Sequence, residues 1–557
     1  MGERARMKRS IDGITSHILS STGQAAPVAM PGLQMEDAMS QISRRTLLAT
    51  GAGAIALAAA PRARAQARRT VTVASQALPP TMEPMDTPGT TSVWYRTEYN
   101  VFEGLLGLDY RNNLAVRGAL AERWSQRDAR TWEFSLRQGV KFHDGRELTA
   151  EDVLVSLGEE RLMGPNAPGR SSAKGFLPTF ERAEKIDERT VRLITNTDDP
   201  VFDRRIAAWG GQIISAAAFR AAPNWQSWAM RPVGTGPYRI AEVRRDYGIK
   251  LTAHDEYWGG RPPLAGVNFR AVPEMAARFA GLLAGDWDIA TDVTPDAVTE
   301  IEGRRGFKVV EAGSNVTRMV ILDAKHNPQL RDVRLRRALS LAVDRQLLVD
   351  TIWLGKTTIP NGLQSPSYGA LYDEKRRAPV FDPDLARKLV QESGYRGEPI
   401  ALRTTGTYYL AERQTTEALV GMWQAVGVNV QIEMVENYAQ WYRRPGSGMY
   451  NYSSVMLFPD PLAGMVRNFG PDSALQRTED SWFNEEFNGL CKGIAGTSDL
   501  TERRRMHARM LDILEWEDPP MVLLFMQNMF YGLRADLDWR PYPAHQMDFG
   551  PDNMRAG

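Results

Sequence analysis

The sequence predicts an α/β protein with more than one domain. A chain of 557 residues, 43% of them hydrophobic, can bury a large apolar core and is too long for a single one. A βαβ unit is also predicted, with a strand over 400–403 that begins with three apolar residues, a helical pattern over 410–426, and alternating apolar residues from Val428 to Met434. This order of patterns is typical of an α/β lobe.

A strand, a turn and a helix follow one another between Leu120 and Leu157. Every second residue from Trp132 to Leu136 is apolar, which is the pattern of a half-buried strand. Asp144-Gly145 tolerates the positive φ of a tight turn. Thr149 to Asp152 has the spacing of a capping box and predicts the start of a helix.

The first 65 residues are expected to be an export leader. The segment 43–65 contains Ser43-Arg44-Arg45-Thr46-Leu47-Leu48, which resembles a twin-arginine signal. Its apolar run is shorter than the ~20 residues that cross a bilayer. We therefore expect cleavage near Ala65 or Ala67 and a mature protein in the periplasm, the alternative being a chance pair of arginines. Three methionines are candidates for the true first residue: Met30, Met35 and Met39.

Further elements can be placed along the mature chain. Alternation predicts a strand over Thr70–Ser75, and apolar spacing predicts a helix over Val93–Leu108. A short apolar run, Met521–Met526, follows two prolines near the end. Asp332 and Asp382 precede helical patterns and are predicted N-caps, and another helix is predicted from Asp344 to Leu354.

Four blocks of sequence, in a fixed order, carry a resemblance to a known family. They are LAERW to LTAEDV (120–153), PVGTGPY (232–238), HDEYW (254–258) and RRALSLAVDR (336–345). Together they closely resemble the family 5 extracellular solute-binding proteins, the dipeptide, oligopeptide and nickel receptors of ABC importers. The resemblance covers residues 70 to about 543.

The resemblance implies a two-lobed periplasmic-binding-protein fold of type II, in its large variant. The expected units are the leader (1–65), the first lobe (66–113), an inserted subdomain of that lobe (114–214), the first lobe again (215–316), the second lobe (317–520) and a return to the first lobe (521–557). Because the chain would cross between lobes twice, a two-stranded hinge is expected.

Composition excludes several function classes. Lys and Arg number 68 against 67 for Asp and Glu, so there is no basic excess of the kind that binds nucleic acid. Cys491 is the only cysteine, which rules out an intrachain disulfide. The chain has no C-x-x-C or H-x-x-x-H spacing, and we expect neither a metal nor a cofactor. The S-x-x-K spacing at Ser171–Lys174 lacks its companion motifs and is interpreted as chance.

The family implies a monomeric receptor, not an enzyme, that passes its ligand to an ABC permease and its cytoplasmic ATPase. The expected ligand is a small polar organic solute, such as a modified peptide, an opine or a sugar. A plain di- or oligopeptide receptor, and a peptide receptor with a chaperone or signalling role, are the alternatives. An exported enzyme is the rival from another class.

The segment Tyr450–Pro461 bears most directly on the ligand. Peptide-binding relatives have an acid here that pairs with the free amino group of the peptide, and Leu457 stands at that position. Leucine cannot neutralise a buried ammonium, and an unpaired charge costs several kcal/mol, on the order of the penalty for breaking a buried ion pair. Plain dipeptides are therefore expected to bind poorly, unless the alignment slips by one residue or Asp460 takes the amine.

The candidate ligand-binding residues are mainly aromatic, amide and charged side chains expected to face the cleft. They are Trp209, Gln364, Tyr368, Arg403, Tyr408, Tyr409, Trp441, Leu457, Phe458 and Asp460. Asn361 and Tyr442 are neighbours of the same kind. His143 lies in the family's K-F-H-D-G turn and is expected to be structural.

Overall fold

The computed structural model describes residues 68–86, 91–377, 380–436, 440 and 448–555. The predicted leader, with its twin-arginine segment, lies outside these residues. Within the described ranges, no helix combines the length and the apolar character that a membrane crossing requires.

The strands are numbered in chain order. They are β1 (Thr70–Ser75), β2 (Leu106–Asp109), β3 (Ala115–Gly118), β4 (Ala121–Asp128), β5 (Thr131–Leu136), β6 (Phe180–Lys185), β7 (Thr190–Thr195), β8 (Tyr238–Arg244), β9 (Gly248–Ala253), β10 (Gly266–Ala271), β11 (Ile289–Ala290), β12 (Phe307–Leu322), β13 (Ile400–Thr404), β14 (Val430–Met434), β15 (Met449–Val455), β16 (Met521–Arg534), β17 (Asp538–Trp539) and β18 (Met554–Arg555).

The α-helices are numbered in the same way. They are α1 (Thr91–Glu98), α2 (Ala150–Leu157), α3 (Arg170–Phe176), α4 (Phe202–Ala208), α5 (Ala216–Ala221), α6 (Trp225–Met230), α7 (Met275–Ala284), α8 (Pro295–Glu302), α9 (Val333–Leu341), α10 (Arg345–Thr351), α11 (Pro383–Glu392), α12 (Glu412–Ala425), α13 (Arg467–Phe469), α14 (Ala474–Arg477), α15 (Glu485–Ala495) and α16 (Leu500–Asp512). Single π-helical turns lie at Glu159–Met163, Leu462–Val466 and Ile513–Glu517, and a 3₁₀ segment at Pro366–Leu371.

The largest sheet has ten strands in the order β14-β13-β15-β12-β16-β11-β1-β10-β9-β8. At one end β13 pairs in parallel with β14 and β15, and we name this end lobe II. Toward the other end β1 pairs in parallel with β10 and β11, and we name this end lobe I. Parallel and antiparallel pairs mix in both, as in many α/β sheets.

Two long antiparallel strands, β12 and β16, join the lobes. The first half of β12 pairs with Asn528–Arg534 beside lobe I, and its second half pairs with β15 in lobe II. The register of β12 against β16 shifts between Gly313 and Thr317, so the ladder is interrupted where the strands pass between lobes. Met521–Met526 still pairs within lobe II, which places the second crossing after Met526 instead of at the expected 520/521 boundary.

Helices cover both faces of the lobe II sheet. Along β12, Met319 and Ile321 belong to the same core as residues of α15 and α16, whereas Val320 and Leu322 belong to a core formed with α9 and α12. This alternation follows from the two-residue period of a strand. The predicted βαβ unit is confirmed as β13-α12-β14, with Ile400 opposite Val430 in parallel register.

The segment between β1 and β8 contains a separate antiparallel sheet in the order β4-β5-β7-β6. We call this region, from β3 to α4, the inserted subdomain. The predicted strand is confirmed as β5, whose three alternate apolar residues are buried. The predicted capping box is confirmed at α2, where the Thr149 backbone N–H donates to the Asp152 carboxylate at 2.9 Å.

The helix predicted over Val93–Leu108 is wrong in its second half. Helix α1 ends at Glu98, and Leu106 begins strand β2. The cause is a contact with the distant C-terminal segment: the Asn100 side chain donates to the Met547 carbonyl at 2.7 Å and accepts from the Phe549 N–H at 2.9 Å. Apolar spacing alone carries no information about this contact.

Candidate ligand-binding site

A cavity of about 400 Å³ lies between the lobes where β12 and β16 cross. We call it the central cavity. Its polar lining is made of amide and hydroxyl groups: Asn113, Ser314, Asn315, Thr317, Gln364, Ser365, Ser367 and Ser454. Among the described lining residues Arg111 alone is charged, and its guanidinium donates to the Asn553 side chain. The volume lies at the lower end of the range of ~300–1,000 Å³ for small-molecule sites.

A small recess lies next to the central cavity and shares Tyr110 and Asn315 with its lining. It has room for about one water molecule, roughly 10 Å³. We call it the inner recess. Tyr95 and Trp209 form one wall, with ring centroids 4.4 Å apart in an edge-to-face arrangement. Leu457 follows β15 and lies in the same recess, so the structure brings together two of the candidates from the sequence, Trp209 and Leu457.

Three buried polar atoms of the recess have no hydrogen-bond partner among the described residues. They are Nδ1 of His545, Oε1 of Gln546 and Oδ1 of Asn315. The Asn315 amide nitrogen donates to the Met456 carbonyl, which leaves its oxygen toward the recess. An unsatisfied buried polar atom costs about 1–3 kcal/mol. Three such atoms at one recess make it a candidate site for hydrogen bonds from a bound solute.

The recess is electrically neutral. Burial lowers the pKa of His545 to about 4, and the Arg96 guanidinium acts in the same direction, so the imidazole is uncharged at neutral pH. Arg96 itself is paired with Asp292 at 2.5 Å. Gln546 and Asn315 present amide oxygens, which accept hydrogen bonds without carrying charge.

Asp460 is fully buried and bonded to the protein's own groups. Its carboxylate accepts a hydrogen bond from Arg503 Nη2 at 2.6 Å and lies 3.4 Å from Arg204 Nη1. The Leu462 N–H donates to its other oxygen at 3.1 Å. Burial raises the pKa of this carboxyl, and the two guanidinium groups oppose the rise. The geometry thus gives Asp460 a cationic partner from within the chain.

Gln364 and Tyr368 both line the central cavity but differ in whether their polar groups are available to a ligand. The Gln364 amide is used to hold its own loop, donating to the Asn361 and Asp373 carbonyls and accepting from the Asp373 N–H. The Tyr368 hydroxyl makes no hydrogen bond within the described chain, although the residue is only 8% exposed. Of this pair, Tyr368 is therefore the better ligand contact.

Arg403, Tyr408 and Tyr409 lie on another part of lobe II, away from the lining of the central cavity and the inner recess. Arg403 is buried and pairs with Glu433 at 3.2 Å. The Tyr408-Tyr409 loop is held by the buried Glu412 carboxylate, which accepts both backbone N–H groups, at 2.8 and 3.1 Å.

The remaining candidates are separate from the recess. Phe458 is buried, and the Arg205 guanidinium lies 5.3 Å from its ring centroid. Trp441 and Tyr442 lie outside the described residues. His143 bonds the Gly236 carbonyl at 2.9 Å in its turn. No group of three metal-ligating side chains occurs in the described part of the chain.

Among the recess residues that sequence reasoning missed are three with buried polar atoms: Asn315, His545 and Gln546. Asn315 follows Gly313-Ser314, where the alternation of apolar and polar residues along a long strand is interrupted. Such an interruption can indicate a β-bulge. His545-Gln546 is a polar pair between two buried residues, Ala544 and Met547. Neither signal identifies the partner segments.

Comparison with known proteins agrees with this architecture. The family model described as bacterial extracellular solute-binding proteins, family 5 middle, matches residues 115–475. Heme-binding protein A of Haemophilus influenzae is 27% identical over 444 residues, covering 72% of this chain and 78% of that protein. Di/tripeptide-binding protein 3 of Pseudomonas aeruginosa is 25% identical over 487 residues, covering 78% and 90%.

A solved structure shows the same fold. The dipeptide binding protein from Pseudoalteromonas sp. SM9913, in complex with Met-Leu, matches with a TM-score of 0.77 at 20% identity, covering 88% of this chain and 100% of that chain. The two-lobed fold expected from the sequence is thereby confirmed. Because the family model matches more than half of its length, the chain belongs to family 5 of the bacterial extracellular solute-binding proteins.

Proposed function

We propose that the chain is the receptor of an ABC importer for a small, polar, uncharged organic solute. Proteins of this family bind solutes outside the cytoplasmic membrane for ABC importers. The receptor acts as a monomer in the periplasm after its leader is removed near Ala65 or Ala67. It hands the solute to a permease and its ATPase and has no catalytic activity of its own.

The observation that supports an uncharged ligand is the inner recess. Its free polar atoms are two amide oxygens and a neutral imidazole, and Leu457 stands beside them in place of a carboxylate. Hydroxyl or amide N–H groups of a solute satisfy these atoms at no electrostatic cost. A free ammonium there has no counter-charge, which costs several kcal/mol, on the order of breaking a buried ion pair.

Capture works by closure of the lobes about β12 and β16. We assign the hinge to the register shift between Gly313 and Thr317 and to the facing part of β16. Asn315 lies inside it, donating its N–H to the Pro543 carbonyl at 3.2 Å and accepting from the Met456 N–H at 2.9 Å. A solute that contacts both lobes stabilises the closed state by its differential affinity.

Calorimetry on the purified protein tests the proposal with a matched pair of probes. N-acetyl-Ala-Ala-amide has no charge, whereas Ala-Ala has a free ammonium and a carboxylate. We expect the capped probe to bind at least tenfold more tightly. Tighter binding of the free dipeptide supports the second candidate, a plain dipeptide receptor, which the names and bound ligand of the relatives favour.

A further inference from the structure

A second cavity, of about 700 Å³, lies beside the central one. It is bounded on one side by the inserted subdomain and on the other by lobe II. The two cavities share four lining residues, Asn113, Leu114, Ser367 and Tyr368, and are therefore adjacent. We call it the lateral cavity.

The lateral cavity has apolar side chains on both of its sides. The inserted subdomain contributes Trp124 and Val201, and lobe II contributes Leu371 and Leu500. Leu500 is 45% exposed although it lines a concave surface. Covering apolar surface stabilises a complex by about 25 cal/mol per Å². The walls thus favour an apolar occupant.

The charges of the lateral cavity compensate one another. Its charged lining residues are Asp203, Arg204, Asp460 and Arg503, two of each sign. Asp460 lies between Arg503 and Arg204, at 2.6 and 3.4 Å. Arg204 belongs to the inserted subdomain and Asp460 to lobe II, so this contact also closes the cavity from both sides. The occupant therefore needs no charge of its own.

Tyr368 stands at the junction of the two cavities. Its ring packs edge-to-face against His507, with centroids 5.6 Å apart. Its hydroxyl lies near Gly464, a residue that lines the central cavity. A β-carbon added to Gly464 would be 3.9 Å from this hydroxyl oxygen. Burial raises the pKa of this hydroxyl, which stays protonated and can donate a hydrogen bond. A carbonyl oxygen at the junction would accept it.

We propose that the central and lateral cavities form one binding site for an elongated, uncharged solute with two unlike halves. The polar half lies in the central cavity and reaches the inner recess. A carbonyl-type acceptor passes Tyr368, and an apolar or aromatic half fills the lateral cavity. This inference rests on the proposed function, since it extends the same ligand into a second space.

Calorimetry with an extended probe tests the inference. N-acetyl-Ala-Ala-amide is compared with its N-(3-phenylpropyl) amide, which adds an aromatic tail without charge. The tailed probe is expected to bind at least tenfold more tightly to the unaltered protein. Leu500→Trp fills the lateral cavity and should remove this gain while leaving the affinity of the short probe within twofold.

The matched control is Leu347→Trp, at a leucine that is 48% exposed and outside both cavities. It should change neither affinity. Equal affinities for the two probes, or a gain that survives Leu500→Trp, overturn the inference. Preference for free Ala-Ala over the capped dipeptide instead overturns the proposed function, so the two failures are distinguishable.

Native mass spectrometry of the protein as isolated decides the case in which neither probe binds. A bound solute larger than the central cavity, about 400 Å³, supports the two-part site. A smaller solute, or none, overturns it.

Discussion

The Asp460 carboxylate and the Arg503 guanidinium form a buried ion pair, with Oδ2 and Nη2 2.6 Å apart. Both residues lie in lobe II, and neither side chain is more than about a twentieth exposed. Arg503 also donates to the Ile494 and Thr497 carbonyls, at 2.7 and 3.1 Å. The pair therefore fixes the start of α16 against the loop after β15, and the acid nearest to Leu457 in sequence has a structural role.

Asp460→Asn should destabilise the protein by about 3–5 kcal/mol, because removing one partner leaves a buried charge uncompensated. Chemical denaturation monitored by circular dichroism gives this value. The control is Arg204→Gln. Arg204 is 40% exposed and contacts the same carboxylate at 3.4 Å, so its loss should cost about 1 kcal/mol or less. Normal stability of the Asp460→Asn variant, together with loss of all solute binding, would identify Asp460 as a ligand contact.

Leu457→Asp should convert the inner recess into a site for an amine. The new carboxylate lies beside the free atoms of the recess, so free Ala-Ala should gain at least tenfold in affinity, about 1.4 kcal/mol, relative to the capped dipeptide. Leu457→Asn, which has nearly the same shape without the charge, is the control and should show no such gain. Equal responses of the two variants in calorimetry would contradict the electrostatic account.

Stability should fall as the pH is lowered from about 6.5 toward 4. Burial lowers the pKa of His507 and of His545 to about 4, so both imidazoles are neutral in the folded protein. The unfolded chain takes up these protons near pH 6.5. It therefore binds more protons than the native state between these pH values, and the free energy of unfolding decreases as pH falls, by up to about 1.4 kcal/mol per unit for each histidine.

His507→Phe isolates one of these contributions. The variant keeps an aromatic ring against Tyr368 and removes the titrating group. The free energy of unfolding should be measured by urea denaturation at pH 8, 7, 6, 5 and 4.5. Its change with pH should equal that of the unaltered protein above pH 7 and should be smaller than that of the unaltered protein below pH 6.5. Parallel curves over the whole range would show that His507 takes up its proton equally in both states.

Glu412→Gln should loosen the Tyr408-Tyr409 loop. The buried carboxylate accepts hydrogen bonds from the two backbone N–H groups and from the Thr404 hydroxyl, the last at 2.6 Å. In the variant, the amide NH₂ is itself a donor and cannot accept these hydrogen bonds. A loss of about 2–3 kcal/mol is expected, since hydrogen bonds to charged groups contribute about 1.5–3 kcal/mol. Glu417→Gln, on the same helix in an exposed pair with Arg413, is the control and should change stability by less than about 0.5 kcal/mol.

Elements with a local chemical signal could be predicted from the sequence. The two aspartates predicted as N-caps each accept a backbone N–H of the helix they precede: Asp332 from Arg334, and Asp382 from Leu385. The βαβ unit and the strand at Trp132–Leu136 follow from periodicity in the same way. Their determinants lie within a few residues of each other.

The binding site could be predicted only in part. Trp209 and Leu457 reach the inner recess, and Gln364 and Tyr368 reach the central cavity. The recess also depends on Asn315 and His545, which are far apart in the chain and are brought together where the Asn315 N–H donates to the Pro543 carbonyl. The end of α1 could not be predicted for the same reason, because the Asn100 side chain forms hydrogen bonds with the backbone of Met547 and Phe549. Long-range pairing leaves no periodic trace.

The interruption in β12 affects the order in which a solute contacts the different parts of the binding site. When one rigid body turns about another, each atom moves in proportion to its distance from the pivot. Asn315 lies at the register shift, so the side of the recess that it forms moves least while the lobes swing. Arg204 of the inserted subdomain lies 3.4 Å from Asp460 of lobe II, so opening of the lobes separates this pair. An arriving molecule should therefore anchor its polar end first, while the far wall is still open, and the Arg204–Asp460 contact should form last.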